Sequence, residues 1–307
     1  MRVLGGTMNS VTELRNPESK GIDERSIIEI LEIINNEDVK IAKIIQAELP
    51  KIERVVNQII YALINNGTIY LVGAGTSGRL CVLEAAEIPP TFGLPHGRIQ
   101  AFIAGGKKAC FRSFETAEDD ASKGALIIEN YKIKESDIVL GVTASGTTPF
   151  VLGAIERAKQ FGAKTIGLSC NKKSLLSEIA DITIEIATGP EVVAGSTRMK
   201  AGTAQKMVLN MITTTAMIKL GLVYDGYMVG VQAINDKLRE RSKRMITDIT
   251  QVSMEEAEKV LKISDWDVRI ALILILTNLN KQEALVKLKN HTLREILTDT
   301  IRESDGR

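Results

Sequence analysis

Two patterns of apolar residues follow one another along the chain and predict its secondary structure. Up to Asn66-Gly67, apolar residues recur at helical spacing, first in Ser26–Ile34 and then in Val39–Ile64. Beyond that stop signal, short apolar runs rich in β-branched residues have the length of single buried strands. These runs are Thr68–Val72, Ile99–Ile103, Asp137–Val142, Thr165–Leu168 and Ile182–Ile186. Helical segments separate most of them, so we predict an α/β fold with a doubly wound, mainly parallel five-stranded sheet.

The chain beyond Gly189-Pro190 shows helical patterns only. Ser253 with Glu256 three residues later is typical of a capping box, which satisfies free N–H groups at a helix start. The predicted helices are Met199–Lys219, Asp236–Thr250 and three short ones at 254–262, 265–278 and 280–288. We expect an N-terminal helical segment at 1–50, an α/β domain at 51–250 and a small helical domain at 251–307. We expect the leader 1–7 to be disordered and the final residues 303–307 to be frayed.

The composition is that of a globular protein and excludes several functional classes. Of 307 residues, 44% are hydrophobic and 25% charged, and the net charge of +1 gives no electrostatic basis for binding nucleic acid or an acidic membrane. No secretory signal is visible, and the apolar run Ile270–Leu276 is too short to span a bilayer. We expect a cytoplasmic protein without nucleic-acid or membrane partners.

The cysteines and histidines do not form a metal-binding pattern. Cys81, Cys110 and Cys170 lie far apart, and the chain has only two histidines. We expect no metal site, and we expect the thiols to be small buried groups in a reducing compartment.

A glycine-rich loop follows the first predicted strand. Gly73–Gly78 reads GAGTSG and leads directly into a predicted helix, where free N–H groups and the helix dipole favour an anion. The spacing also matches the dinucleotide pattern G-x-G-x-x-G, but no acidic residue ends the second strand to hold a ribose. We therefore expect this loop to bind an anion such as a phosphate group. The alternatives are that it binds a dinucleotide, or that it is only a tight turn and binds nothing.

A second loop, Thr143–Thr148, has a similar make-up. It carries four hydroxyl side chains and a glycine, and Pro149 then suits the first position of a helix. Hydroxyls and backbone N–H groups suit a phosphate monoester, and neither loop contains the Gly-Lys-Ser/Thr of a nucleoside triphosphate site. Because both loops follow strands of a parallel sheet, we expect them to face one crevice.

Two acidic residues after the loops are candidate proton-transfer groups. Glu87 lies near the end of the helix that starts at the glycine loop, and Pro89-Pro90 are predicted to end that helix. Glu118 lies in an acidic segment that opens the next helix. Acidic residues also stabilise helix starts, so a solvated helix start is the alternative for Glu118.

Four longer segments resemble the N-acetylmuramic acid 6-phosphate etherases, a family built on the sugar isomerase (SIS) domain. They are Gly21–Asp38, Gly73–Gly93, Thr143–Val151 and Gly189–Met211, and the last contains the long and unusual run GPEVVAGSTRMKAGTAQK. The resemblance implies a SIS-type sheet that binds a phosphosugar through Ser/Thr-rich loops. The substrate-binding residues it implies here are Gly75, Thr76, Ser77, Ser145, Gly146, Thr147 and Thr148.

The resemblance also implies a reaction. The family cleaves the lactyl ether at C3 of N-acetylmuramic acid 6-phosphate by elimination and then adds water, without a metal or redox cofactor. It implies Glu87 as the acid for the departing lactate and Glu118 as the base at C2, although each glutamate is able to serve both half-reactions. One carboxyl must hold a proton, so a raised pKa is predicted.

The segment before the long C-terminal helix supplies further candidates. Ser196, Thr197 and Lys200 are predicted to line the sugar site, and so is Glu191. The alternative for this segment is a helix cap on an ordinary amphipathic helix.

Two other functions stay open at this point. One is a sugar-phosphate sensor that binds a partner protein, as the related glucokinase regulatory protein does; the other is a phosphosugar isomerase. The presence of both glutamates argues against a sensor, and the long GPEVVAGSTRMKAGTAQK match argues against an isomerase. The resemblance further implies a homodimer and a ubiquitin-associated-like (UBA-like) helical tail, to which we assign no chemistry.

Overall fold

The computed structural model describes residues 11–304, which form two compact units. The first unit ends at Ala85, resumes at Gly97 and runs to Thr213, and the second holds Ala86–His96 and the chain from Thr214 onward. The predicted division at residues 50 and 250 stays a prediction. The expected disorder of residues 1–7 and fraying of residues 305–307 concern residues outside the described range, whereas Glu303 and Ser304 belong to the last helix of the chain.

The first unit contains a five-stranded, entirely parallel sheet with the strand order β2-β1-β3-β4-β5. The strands are β1 (Ile69–Gly73), β2 (Ile99–Ile103), β3 (Ile138–Thr143), β4 (Lys164–Ser169) and β5 (Ile182–Glu185). Every residue of β1 and β3 is buried, and successive side chains point to opposite faces, so both faces of the sheet centre are covered. The predicted α/β fold with five parallel strands is confirmed.

The helices that have residues in the first unit connect and cover these strands. They are α1 (Ile27–Asp38), α2 (Lys40–Gln46), α3 (Leu49–Ile64), α4 (Gly75–Phe92), α5 (Ala121–Asn130), α6 (Pro149–Gln160), α7 (Leu175–Ile179) and α8 (Lys200–Lys219). Short 3₁₀ turns lie at Val11–Glu13, Pro17–Ser19, Ile22–Glu24, Gly106–Cys110 and Glu115–Ala117. Helices α4 to α7 each lie between consecutive strands, as expected for a doubly wound sheet.

Helices α5 and α6 cross at a close backbone contact. A β-carbon at Gly124 would lie 1.9 Å from the carbonyl oxygen of Phe150, and one at Gly153 would lie 2.1 Å from that of Ala121. Both positions therefore require glycine, and the contact fixes α5 beside the start of α6.

The second unit is helical and has its own core. Its later helices are α9 (Asp236–Thr250), α10 (Met254–Ile263), α11 (Val268–Leu276), α12 (Lys281–Lys287) and α13 (Leu293–Ser304). Ser253 caps α10 by accepting from Glu256 N–H at 3.1 Å, as the sequence predicted. Five helices rather than the predicted four form here, because α13 was not predicted even though Leu293 is buried in the same core.

The prediction that Pro89-Pro90 end α4 is wrong. The helix continues to Phe92, and Gly93 N–H donates to the Pro89 carbonyl at 2.9 Å as the next helical bond. Each proline removes one N–H donor and crowds the carbonyl four residues earlier, but its fixed φ is compatible with a helix, so a final turn is able to continue beyond it. Gly93, with φ of 71°, ends the helix at a place where a β-carbon would lie 1.9 Å from Gly230 O.

No helix within residues 11–304 is long and apolar enough to cross a membrane.

Candidate functional site

The glycine loop joins β1 to the first turn of α4. Gly78 N–H donates to Ala74 O at 3.0 Å, so Thr76 and Ser77 lie in the first helical turn, where the N–H groups have no intrahelical carbonyl. A β-carbon at Gly73 would lie 2.7 Å from Gly78 N, which makes this turn too tight for a side chain. The turn therefore presents backbone donors and the positive end of an 18-residue helix.

The second loop forms a cluster of hydroxyl groups. Thr143 Oγ1 lies 2.7 Å from Thr148 Oγ1 and 3.3 Å from Ser145 Oγ, and the hydroxyl of Thr147 donates to Ser145 Oγ at 2.9 Å. Gly146 has φ of 75° and packs so closely on Ser174 that a β-carbon would lie 2.3 Å from its Oγ. The loop thus gathers the predicted hydroxyls into one group of donors suited to phosphate.

The strand order brings these two loops together. β1 pairs with β3 in register, with Gly73 opposite Val142, so the loops leave the same edge of the sheet from neighbouring strands. The chain moves from β1 to β2 on one side and to β3 on the other, which makes this pair the topological switch point. Ligands of open α/β sheets bind in the crevice at such a point.

Glu118 faces the glycine loop. It follows the 3₁₀ turn Glu115–Ala117, and its backbone carbonyl accepts from Phe150 N–H at 3.0 Å, which ties it to the start of α6. Its Oε1 lies 2.8 Å from where a β-carbon of Gly75 would be, so the carboxyl group lies against the loop.

The surroundings of Glu118 favour its protonated form. Burial raises the pKa of the Glu118 carboxyl, the carboxylates of Asp119 and Glu115 raise it further, and the guanidinium of Arg79 opposes them. A raised pKa makes this carboxyl a proton carrier closer to neutral pH than an exposed glutamate.

Glu87 has a different environment. It lies on α4 twelve residues after Gly75, in the segment that belongs to the second unit, and its side chain is exposed. Its carboxyl group makes no hydrogen bond or ion pair with any residue in the part of the chain that the structure describes. Its predicted catalytic role rests on its place in the segment Gly73–Gly93, which resembles the etherases, and it stays a prediction.

The start of α8 is held by two buried charged residues. The carboxylate of Glu191 accepts the N–H groups of Lys200 at 3.0 Å and Ala201 at 2.9 Å, which caps the helix. The ammonium of Lys200 pairs with Glu37 of α1, and both side chains are buried. Burial raises the pKa of Glu191, while its hydrogen bonds to Ala201 and Lys200 oppose the shift.

Glu191 and Lys200 thus have partners inside the protein, and their role in sugar binding stays a prediction. Ser196 and Thr197 lie half-buried in the turn before α8. The Thr197 carbonyl accepts from Gly202 N–H at 3.0 Å. A β-carbon at Gly202 would lie 3.4 Å from Thr76 Cγ2, so this segment adjoins the glycine loop.

Two site-supporting residues were missed by sequence reasoning. Gln205 of α8 lies 2.8 Å from the hydroxyl of Ser77, and both residues are buried. Asn171 follows β4, donates to Ala144 O at 3.0 Å and accepts from Val11 N–H at 2.8 Å. One indication of Gln205 was present in the sequence, namely a polar residue among the apolar positions of α8, next to the buried Ala201 and Ala204.

Within residues 11–304, no group of three or more His, Cys, Asp or Glu side chains is arranged to hold a metal ion.

Family models match the part of the chain that carries this geometry. Residues 51–159 match the glucokinase regulatory protein N-terminal SIS domain, and residues 124–215 match the SIS domain. Together these ranges contain both loops, both candidate glutamates and the start of α8.

Curated relatives are similar over nearly the whole chain. A Pseudothermotoga lettingae protein is 47% identical over 296 residues, 96% of this chain and 99% of its own length. A Pasteurella multocida protein is 46% identical over 274 residues, 89% of this chain and 91% of its own length. Both bear the name N-acetylmuramic acid 6-phosphate etherase.

This chain belongs to the N-acetylmuramic acid 6-phosphate etherase family. Family membership confirms the resemblance found in the sequence.

The fold of this etherase-family chain is also similar to that of a solved structure. A Bacteroides fragilis protein, assigned as a phosphosugar isomerase involved in capsule formation, matches with a TM-score of 0.51 and 18% identity. The match covers 67% of this chain and 98% of that protein. At this identity it supports the SIS-type sheet alone.

Proposed function

We propose that this protein is a carbon–oxygen lyase that cleaves the lactyl ether of N-acetylmuramic acid 6-phosphate, giving N-acetylglucosamine 6-phosphate and D-lactate. The observation that carries the proposal is 46–47% identity, over about nine-tenths of the chain, to proteins that bear this etherase name. The two loops at the switch point support it, because they offer donors for a phosphate monoester.

The phosphate binds where the loops meet. The N–H groups of the first turn of α4 and the hydroxyls of Ser145, Thr147 and Thr148 donate to its oxygens. Glycine at positions 75 and 146 leaves room for the side chains of Glu118 and Ser174, which lie against the two loops. This arrangement directs the sugar away from the helix end and towards Glu118.

The first half-reaction is an elimination. In the ring-opened sugar, the C1 aldehyde acidifies the C2 proton, and the Glu118 carboxylate takes that proton. The electron pair forms the C2–C3 double bond as the C3–O bond breaks, and Glu87 gives a proton to the departing lactate oxygen. The raised pKa of Glu118 suits a base that must hold the proton until the second half-reaction.

The second half-reaction is a hydration. Water adds its oxygen to C3 of the unsaturated aldehyde and gives one proton to Glu87, which the elimination left ionised. C2 receives a proton, which Glu118 is placed to return, so both glutamates regain their starting protonation states. The product is N-acetylglucosamine 6-phosphate. Neither half-reaction transfers electrons to or from the enzyme.

We further propose that the enzyme acts in cell-wall amino-sugar recycling in the cytoplasm, as a homodimer. A large apolar surface on α1 supports association with a second chain. Ile27, Ile28 and Leu31 are 79%, 61% and 55% exposed, and contiguous apolar surface of this kind is usually covered by a partner.

The test is lactate release. Purified protein is incubated with N-acetylmuramic acid 6-phosphate, and D-lactate is measured with D-lactate dehydrogenase. We expect equimolar D-lactate and N-acetylglucosamine 6-phosphate from the wild type, and loss of both in Glu87→Ala and Glu118→Ala. A wild type that releases no lactate, or a Glu87→Ala variant with full activity, contradicts the proposal.

A further inference from the structure

Arg79 is a positively charged residue held beside the glycine loop. It lies on α4, four positions after Gly75, and is half-buried. Its Nε donates to Cys110 O and its Nη2 donates to Arg112 O, both at 3.2 Å. Both carbonyl groups belong to the segment that follows β2, so the guanidinium is fixed between that segment and the start of α4.

The guanidinium keeps binding capacity that the protein itself does not use. Within residues 11–304, Arg79 forms no ion pair with a carboxylate, and its Nη1 has no hydrogen-bond partner. A guanidinium presents its N–H donors in a rigid planar fork, which matches the two oxygens of a carboxylate. An arginine that two carbonyl groups hold in place is therefore ready to bind an anion that comes from outside the protein.

The strand order separates Arg79 from the proposed phosphate position. The hydroxyl-rich loop Thr143–Thr148 follows β3, which lies on one side of β1. The carbonyl partners of Arg79 follow β2, which lies on the other side of β1. Because the phosphate is proposed to bind between the glycine loop and the hydroxyl-rich loop, Arg79 is placed for a different part of the substrate.

Glu118 shows which part of the substrate that is. Burial and the carboxylates of Asp119 and Glu115 raise the pKa of Glu118, and the guanidinium of Arg79 acts against them, so it lies within electrostatic range of the proposed base. That base acts at C2, and the next carbon, C3, bears the lactyl ether. The lactyl carboxylate thus comes close to three acidic side chains that repel it, and Arg79 is placed to offset this repulsion.

We propose that Arg79 binds the lactyl carboxylate of N-acetylmuramic acid 6-phosphate and thereby selects substrates that carry this group. This inference rests on the proposed function and deepens it, because it assigns the lactyl end of the same site. A phosphosugar without a lactyl group gains nothing from this contact, and the binding of its phosphate does not depend on Arg79.

The test compares N-acetylmuramic acid 6-phosphate with its lactyl amide, in which a neutral amide replaces the carboxylate. Cleavage of both compounds is followed by mass spectrometry of the released N-acetylglucosamine 6-phosphate. The wild type should prefer the acid by roughly 10- to 100-fold in kcat/KM, and Arg79→Gln should lose this preference by cleaving the acid more slowly. The affinity for N-acetylglucosamine 6-phosphate, measured by isothermal titration calorimetry, should be the same in both proteins.

Arg98→Gln is the matched control. Arg98 is also half-buried and also donates to two backbone carbonyl groups, Gly67 O at 3.3 Å and Leu63 O at 2.5 Å. It directly precedes β2, at the opposite edge of the sheet, so its variant should keep the wild-type preference for the acid. Arg79→Lys keeps the charge but not the fork and should show a smaller preference than the wild type, which keeps the test decisive if Arg79→Gln does not fold.

The outcomes separate this inference from the proposed function. Equal kcat/KM of the wild type for acid and amide, or an undiminished preference in the Arg79 variants, overturns the inference. So does a variant that cleaves acid and amide more slowly by the same factor, because a structural role or a phosphate contact would have that effect. These results leave the proposed function in place, whereas a wild type that cleaves neither compound overturns both.

Discussion

The buried ion pair between Lys200 and Glu37 allows a quantitative test of how the start of α8 is held. The two side chains are 3% and 5% exposed, so both charges have left bulk water. Glu37→Gln leaves the Lys200 ammonium buried without its counter-charge, which costs about 3–5 kcal/mol of unfolding free energy. In a domain of this size each 1 kcal/mol lowers Tm by roughly 2–4 °C, so we expect a Tm lower by about 6–20 °C in thermal unfolding followed by circular dichroism.

Two further variants show whether the loss comes from the buried charge. Glu129→Gln removes a partner of Arg157 from a pair that is more than one-third exposed, and it should lower Tm by no more than about 4 °C. Adding Lys200→Met to Glu37→Gln removes the stranded charge and should restore most of the lost stability. A Glu37→Gln protein with the wild-type Tm would refute this reasoning.

The same pair predicts a pH dependence. Burial acts to raise the pKa of Glu37, but hydrogen bonds from Lys200 and Lys40 outweigh it and hold the pKa below the ordinary value of 4.5. The unfolded state therefore binds the proton more tightly, so the stabilisation is complete above pH 4.5 and is lost as the pH falls towards the folded-state pKa. The Tm difference between wild type and Glu37→Gln should shrink in this acidic range, and a constant difference would contradict the assignment.

Three other substitutions test the site and the packing. Glu118→Gln should lower kcat by about 10²–10⁴-fold with little change in KM. In the wild type, kcat/KM should rise with pH as Glu118 loses its proton, at a higher pH than for an exposed glutamate because its pKa is raised, and this rise should vanish in the variant. Gly75→Ala places a β-carbon 2.8 Å from Glu118 Oε1 at a φ of 53°, so it should cost about 1–3 kcal/mol in stability and lower kcat; an unchanged kcat would argue against the placement of Glu118. Gly124→Ala places a β-carbon 1.9 Å from Phe150 O and should destabilise the protein by about 1–3 kcal/mol in urea unfolding; wild-type stability would contradict the close crossing of α5 and α6.

The sheet is predictable from local sequence because buried parallel strands are short, continuous apolar runs. Each predicted run differs from the observed strand by one residue or less at each end, as with Thr68–Val72 against Ile69–Gly73. The two loops are predictable for a related reason, since glycines and hydroxyls cluster directly after two of these runs.

Helix ends were predicted less well, because they depend on packing as well as on local propensity. Pro89 and Pro90 did not end α4, whose last turn is completed by Gly93 against Gly230. The missed helix α13 has polar residues on its outer face, and its buried face, with Leu293 and Ile296, packs on the core of the second unit.

The contacts that shape the site are not local, and this is why sequence reasoning missed them. Ser77 and Gln205 are 128 positions apart, and the contact of Glu118 with Gly75 also depends on the sheet order. Lys200 is a similar case, since a lysine beside hydroxyls suggests a ligand-binding group and gives no sign of its buried partner Glu37.

The central claim is an elimination followed by hydration at the phosphosugar site, and solvent isotopes test it most directly. The reaction is run with N-acetylmuramic acid 6-phosphate once in D₂O and once in H₂¹⁸O, and both products are analysed by mass spectrometry and NMR. The account predicts one deuterium at C2 and one ¹⁸O at C3 of N-acetylglucosamine 6-phosphate, and D-lactate that keeps its original oxygen. Incorporation of ¹⁸O into lactate, with no deuterium at C2 of the sugar, would contradict it.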